Sequence, residues 1–306
     1  MSIGTDAGAA TAVLEETGPT GPKSPLPPTL AALRAAWEYK RTQIGIVLIV
    51  VVLALALGGP FVAPHSLSEP VASPFAGPSP DAWLGADYLG RDVLSRVLWG
   101  GRSILWMAVA ATTIGVFIGA ALGLIAGYAR NKVDDLIMRS LDVLLAFPGV
   151  VLVLVVVSVI GPKSWLIVLL VASVWIPGVA RVCRAVTLET VNRDFVGVAE
   201  VIGMPRRRIL TREILPNVMT PLMVEYGLRL TWSISAIAAI SFLGFGLQPP
   251  AADWGLMINE NRTGMTLQPW SVVVPIMAIA VFTIGTNLIA EGISRSVAGI
   301  DRAVRT

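Results

Sequence analysis

The chain has 306 residues, of which 55% are hydrophobic and only 14% charged, with a mean hydropathy of +0.74; so apolar a composition excludes a soluble domain and identifies an integral membrane protein. The net charge of +3, from 23 basic and 20 acidic residues, does not indicate a nucleic-acid binder despite an isoelectric point near 9.3. One cysteine (Cys183) and one histidine (His65) leave no disulfide framework, zinc cluster or Cys/His nucleophile pair unless these two meet. Cys183 reads as a small packing residue at a helix end and His65 as an exposed loop residue.

Residues 1–42 form a tail rich in Ala, Gly, Pro and Thr, expected to be cytoplasmic and disordered up to a short amphipathic piece around Leu30 to Tyr39; no secretory signal is read in it. Six apolar stretches have the roughly 20 residues that a bilayer core requires: 43–62, 103–128, 136–160, 164–183, 218–246 and 271–292. Between the first two, residues 63–101 are read as extracytoplasmic. There Leu89, Val93, Leu94, Val97 and Leu98 recur at helical spacing opposite Arg91, Asp92, Ser95 and Arg96, which predicts an amphipathic helix on the membrane surface. Residues 102–292 hold the other five spans, and 293–306 are read as a cytoplasmic tail.

Gly115, Gly119, Gly123 and Gly127 repeat every fourth residue along the second span, a bare face suited to close helix contact inside the bundle. Pro148 and Pro177 are expected to kink the third and fourth spans, and Gly161-Pro-Lys-Ser164 to form the turn between them. Glu225 and Arg229 lie one turn apart on the fifth span and are candidates for an ion pair, either structural or at a pathway or gate. In the last external loop, Asp253, Asn259, Glu260, Asn261 and Arg262 are candidate contacts for an extracytoplasmic protein, or simply solvated. With the N-terminus inside, seventeen Lys and Arg fall on cytoplasmic segments and five outside, so the topology is N-in and C-in.

The cytoplasmic segment 184–217 is the most informative. It contains Arg193-Asp-Phe-Val-Gly-Val-Ala-Glu-Val-Ile-Gly-Met-Pro-Arg-Arg-Arg-Ile-Leu-Thr-Arg-Glu-Ile-Leu-Pro-Asn217, in which the small residues Gly197, Ala199 and Gly203 allow another surface to approach the backbone. This stretch resembles the signature loop of type I ABC importer permeases, in which Glu-Ala-Ala is followed after three residues by Gly and then by a run ending in Leu-Pro. Gly197, Val198 and Ala199 occupy the Glu-Ala-Ala slots, and Gly203, Leu215, Pro216 and Asn217 occupy the rest. Gly197 departs from the expected glutamate, for which Glu200 is a partial substitute. Leu84-Gly-Ala-Asp-Tyr-Leu-Gly-Arg-Asp-Val-Leu-Ser-Arg96, Met138-Arg-Ser-Leu-Asp142, Ala146-Phe-Pro148 and Ser241-Phe-Leu-Gly-Phe-Gly-Leu-Gln-Pro-Pro-Ala-Ala-Asp-Trp-Gly255 resemble the peptide and nickel branch of the same importers.

The resemblance implies an all-α, six-helix permease in a bacterial or archaeal cytoplasmic membrane, paired with a second permease, two cytoplasmic ATPase subunits or domains and an extracytoplasmic substrate-binding protein. It implies a coupling helix or helix pair at 193–212, with Gly203 making a close turn and Pro216 restarting the next helix. Arg206, Arg207, Arg208 and Arg212 would then pair with acidic groups on the ATPase or with lipid phosphates, or serve as positive-inside anchors. Di- or oligopeptide is the expected solute, with nickel and glutathione as alternatives. None of the four lysines ends a Gly-Lys-Ser/Thr phosphate cradle, so ATP and Mg are expected on the ATPase partners and no catalysis or cofactor on this chain. An ion-coupled transporter would require related halves and several intramembrane acids, and a membrane enzyme a zinc or serine motif; none is found.

Overall fold

The computed structural model describes residues 28–305; side chains are described for 33–296. Most of the expected disordered tail lies outside the described residues. Among the described residues the secondary structure is helical, with only two isolated β-bridges, Pro70 to Arg91 and Ala86 to Asp92. A short α1 (Pro28–Trp37) leads into α2 (Lys40–Val62), α3 (Val93–Ala129), α4 (Lys132–Leu145), α5 (Gly149–Ile160) and α6 (Ser164–Val191). Then come α7 (Asp194–Val201), α8 (Arg206–Arg208), α9 (Leu215–Phe242), α10 (Trp254–Asn261) and α11 (Trp270–Arg305).

Helices α2, α3, α6 and the 270–296 part of α11 are long and apolar enough to cross a membrane. The α4–α5 pair together forms a fifth candidate. At 28 residues α9 has the length for a sixth, roughly 42 Å, but Glu225, Arg229 and its hydroxyl side chains make it less apolar.

The predicted third span is not one helix. It breaks at Ala146-Phe147-Pro148 and bends by 74°, because Pro148 has no N–H for the α4 ladder and caps α5 in an extended-region conformation. Pro177, by contrast, sits buried within an unbroken α6. The amphipathic surface helix also differs from expectation. Its residues from Val93 onward are the first turns of the 37-residue α3, started by Asp92, whose Oδ2 accepts the Ser95 N–H at 2.9 Å.

Helices α3 and α6 form the spine. A Cβ built on Gly115 would stand 2.9 Å from the Ala172 carbonyl oxygen, on Gly119 2.9 Å from that of Ile176, and on Gly123 2.5 Å from that of Ala180. On Gly127 it would meet Thr187 Cβ at 2.7 Å. Partners rise in number on both helices, so α3 and α6 run parallel. The chain must therefore recross between them, which the bent α4–α5 pair accomplishes. Carbonyls this close to glycine backbone fit repeated Cα–H···O contacts, worth about 0.5–1 kcal/mol each. Cys183 faces the same seam, in the interior of α6 rather than at its end, with its thiol donating to the Ala120 carbonyl. The short connection from α5 to α6 turns on Gly161, at φ 96°.

Candidate functional site

Three regions carry the polar chemistry. The first is the arginine-rich loop after α6. Helix α7 turns inward with Val196 and Ala199, which pack with Ile209, Ile214 and Val218 against Val116, Val179 and Cys183 of the spine. Of the three small residues expected to admit a partner, Ala199 is therefore consumed inside, while a Cβ added to Gly197 or Gly203 would meet no atom within 4 Å. Gly203 adopts φ 81°, the left-handed conformation that reverses the chain between α7 and α8 with little strain only for glycine. Around this turn Val198, Val201 and Ile202 are 57%, 89% and 74% exposed.

The helix restarts at Pro205-Arg206, well before Pro216, which corrects the expected role of Pro216. Residues Ile209–Ile214 then wind as a π-helix into α9, so Pro216 falls in an already helical run, flanked by Leu215 and by Asn217, whose side chain donates to the Glu213 carbonyl at 2.7 Å. Glu200 accepts from the Tyr128 hydroxyl at 3.0 Å, tying the loop to the end of α3. Arg206, Arg207, Arg208 and Arg212 are exposed, and among the described residues their side chains make no ion pair. Behind the loop, Arg184 grips Asp134 of α4 with two hydrogen bonds, 2.6 and 2.5 Å long, and Arg181 pairs with Asp142.

The second region lies within α9. Arg229 Nη2 stands 2.9 Å from Glu225 Oε2, and its guanidinium carbon lies 5.5 Å from the Trp175 ring centroid on α6. The Trp175 indole N–H and the Thr112 hydroxyl both donate to Ser233 Oγ at 2.8 Å, which fixes the ring.

The third region, at the extracytoplasmic end, was missed in the sequence. Asp87 accepts the Leu89 and Arg91 backbone N–H groups and pairs with both Arg91 (2.8 Å) and Arg96 (2.5 Å). Arg96 also reaches Glu260 on α10 at 2.7 Å, and the Tyr88 hydroxyl donates to Glu260 at 3.1 Å. The Asp87, Arg91, Arg96 and Glu260 side chains are buried. The predicted solvent face of residues 89–98 is thus an interior ion network, and Glu260, Asp253 and Asn261 are internal rather than exposed contacts; Arg262 alone of the charged residues in that set is exposed. The missed cue was the near-neutral balance of Asp87, Arg91, Asp92 and Arg96, which suits mutual pairing.

The same region joins two stretches far apart in the sequence. The Trp254 indole donates to the Val97 carbonyl at 2.9 Å, with its ring against Gly101, and Gln268 donates to the Ala76 and Leu84 carbonyls beside Gly85. His65 is half-buried there, its Nε2 2.8 Å from the Asp81 carbonyl oxygen. Burial pushes the Asp253 carboxyl up to about 6, against the Leu256 N–H it caps. Burial likewise raises Glu260 to about 7, opposed by Arg91 and Tyr88.

Comparison with known proteins places these features in a family. Residues 119–299 match the family described as binding-protein-dependent transport system inner membrane component. A glutathione transport system permease protein of Pectobacterium atrosepticum is 40% identical over 71% of this chain and 72% of its own length. A dipeptide transport system permease protein of Alkalihalophilus pseudofirmus is 32% identical over 87% and 88%. A di/tripeptide transport system permease protein of Pseudomonas aeruginosa is 33% identical over 81% and 84%. With its membrane-length apolar helices and this match across more than half its length, the chain is a multi-pass protein of the cytoplasmic membrane and belongs to the family of binding-protein-dependent transport system inner membrane components.

Proposed function

We propose that this chain is one permease subunit of an ATP-driven importer for di- or oligopeptides, forming the translocation path with a second, similar permease. The observation that carries the coupling is the turn at Gly203: exposed Val198, Val201 and Ile202 and the four exposed arginines project from a loop whose inner side is packed into α3, α6 and α9. Such a surface is apolar enough to bury against protein and basic enough to favour an acidic groove. Two cytoplasmic ATPase subunits, carrying ATP and Mg, seat this loop, and their closure shifts the bundle between inward-open and outward-open states through differential binding energy. An extracytoplasmic binding protein delivers the solute. The names of the relatives support a peptide solute, and glutathione, itself a short peptide, remains a second reading because one relative 40% identical to this chain is named for it.

Co-purification and uptake test the assignment. A tagged chain is expected to bring down an ATPase, and the reconstituted complex to accumulate labelled dipeptide when supplied with ATP. Gly203→Arg is expected to abolish uptake while membrane insertion persists. Accumulation of nickel but of no peptide, or full transport without any ATPase, would overturn the proposal.

A further inference from the structure

Two ion pairs on the helices of the bundle retain exposure. Glu225 and Arg229 on α9 retain 14% and 24% side-chain exposure, and Leu228 and Trp232 beside them on that helix are exposed. One turn beyond Gly178 on α6, Arg181 pairs with Asp142 of α4, each more than half exposed. Charges that retain exposure on such helices do not rest against hydrocarbon; they face water, polar solute or protein. Arg229 is also held in place. Its guanidinium lies over Trp175, and a Cβ on Gly178 would stand 3.0 Å from Nη2, so the bare glycine makes the room it occupies.

We propose that Glu225 and Arg229 contact the solute and select for zwitterions, Arg229 taking its carboxylate and Glu225 its ammonium group. This rests on the peptide-importer reading and extends it to the chemistry recognised inside the path. In a poorly hydrated path an unpaired charge is costly, but a zwitterion replaces the internal ion pair with two new ones and leaves no charge without a partner. A singly charged solute or a bare cation leaves one member of the pair unmatched. The spacing fits short peptides: residues four apart on a helix are separated by about 6 Å along its axis, and two extended residues span about 7 Å. The planar guanidinium suits a two-point grip on carboxylate, which lysine does not reproduce.

The test uses the complete complex in proteoliposomes, with one binding protein throughout and three solutes: Ala-Ala, its N-acetyl derivative and its C-terminal amide. For each solute, kcat/KM of a variant is divided by that of the parent, which cancels selection by the binding protein. Arg229→Gln is expected to lower the ratio for Ala-Ala roughly tenfold or more, the loss of a charge-assisted contact, and that for the amide less than threefold. Glu225→Gln is expected to spare the N-acetyl derivative in the same way. Arg229→Lys keeps the charge and so guards against misfolding; it is expected to give an intermediate loss for Ala-Ala and none for the amide. Equal losses for all three solutes in an assembled complex, or no loss for any, would overturn the proposal and leave the importer reading intact. A parent complex that moves none of the three would overturn both.

Discussion

At the extracytoplasmic end Asp87, Arg91, Arg96 and Glu260 are buried and paired with one another, whereas at the cytoplasmic end Arg206, Arg207, Arg208 and Arg212 stand exposed without an ion pair among the described residues. Arg91, just before α3, and Arg96 in its first turns share Glu260 of α10, which joins segments 164 residues apart. The cytoplasmic loop is packed on its inner side, by Val196, Ala199 and Ile209, and its outer side is exposed among the described residues. Charge that is internally matched fixes geometry; charge left unmatched on a protruding turn is available to another molecule.

The contrast can be broken most directly at the buried network. Asp87→Ala leaves the buried Arg91 and Arg96 to share Glu260 and is expected to cost about 3–5 kcal/mol, seen as a large fall in thermal unfolding temperature in detergent. An unchanged transition would mean that the network does not hold the two segments together. Acid titration probes the same region with a somewhat smaller effect. The folded carboxyls of Asp253 and Glu260 titrate near 6 and 7, above their ordinary values of 3.8 and 4.5, so the folded state holds more protons in that window. Each of these two groups therefore contributes most stability below its unfolded value, near pH 4, and that contribution is lost as pH rises through 6 and 7, with Asp253 accounting for roughly 3 kcal/mol of it. Asp253→Asn is expected to flatten the lower part of that slope in melts taken across the range.

Between the two ends, Gly123→Leu would drive a side chain into the Ala180 carbonyl and is expected to cost about 1–3 kcal/mol, measurable as a lower melting temperature and reduced yield of monodisperse protein. The smallest stability effect belongs to the exposed turn. Val201→Asp with Ile202→Asp is expected to move stability by less than about 0.5 kcal/mol yet abolish co-purification of an ATPase. If binding survives that pair of substitutions, the apolar tip is not the docking surface.

The sequence alone determined the membrane class, the helical architecture and the approximate position of the spans, because these follow from local counts of apolar residues and from the distribution of Lys and Arg. The four-residue period of Gly115 to Gly127 is also visible there, as is the glycine at the loop reversal, since both are properties of nearby residues. Tertiary structure decided which of two equal-looking signals prevails. Pro148 and Pro177 carry the same local penalty, but Pro177 is buried in a helix seated along α3, while Pro148 joins the amphipathic α4 to the apolar α5 and breaks the span. Likewise, amphipathic spacing over residues 89–98 says that two faces differ but not which one meets water. Glu260, 164 residues from Arg96, decides that, because a charged face can be buried only where the opposite charge is brought to it.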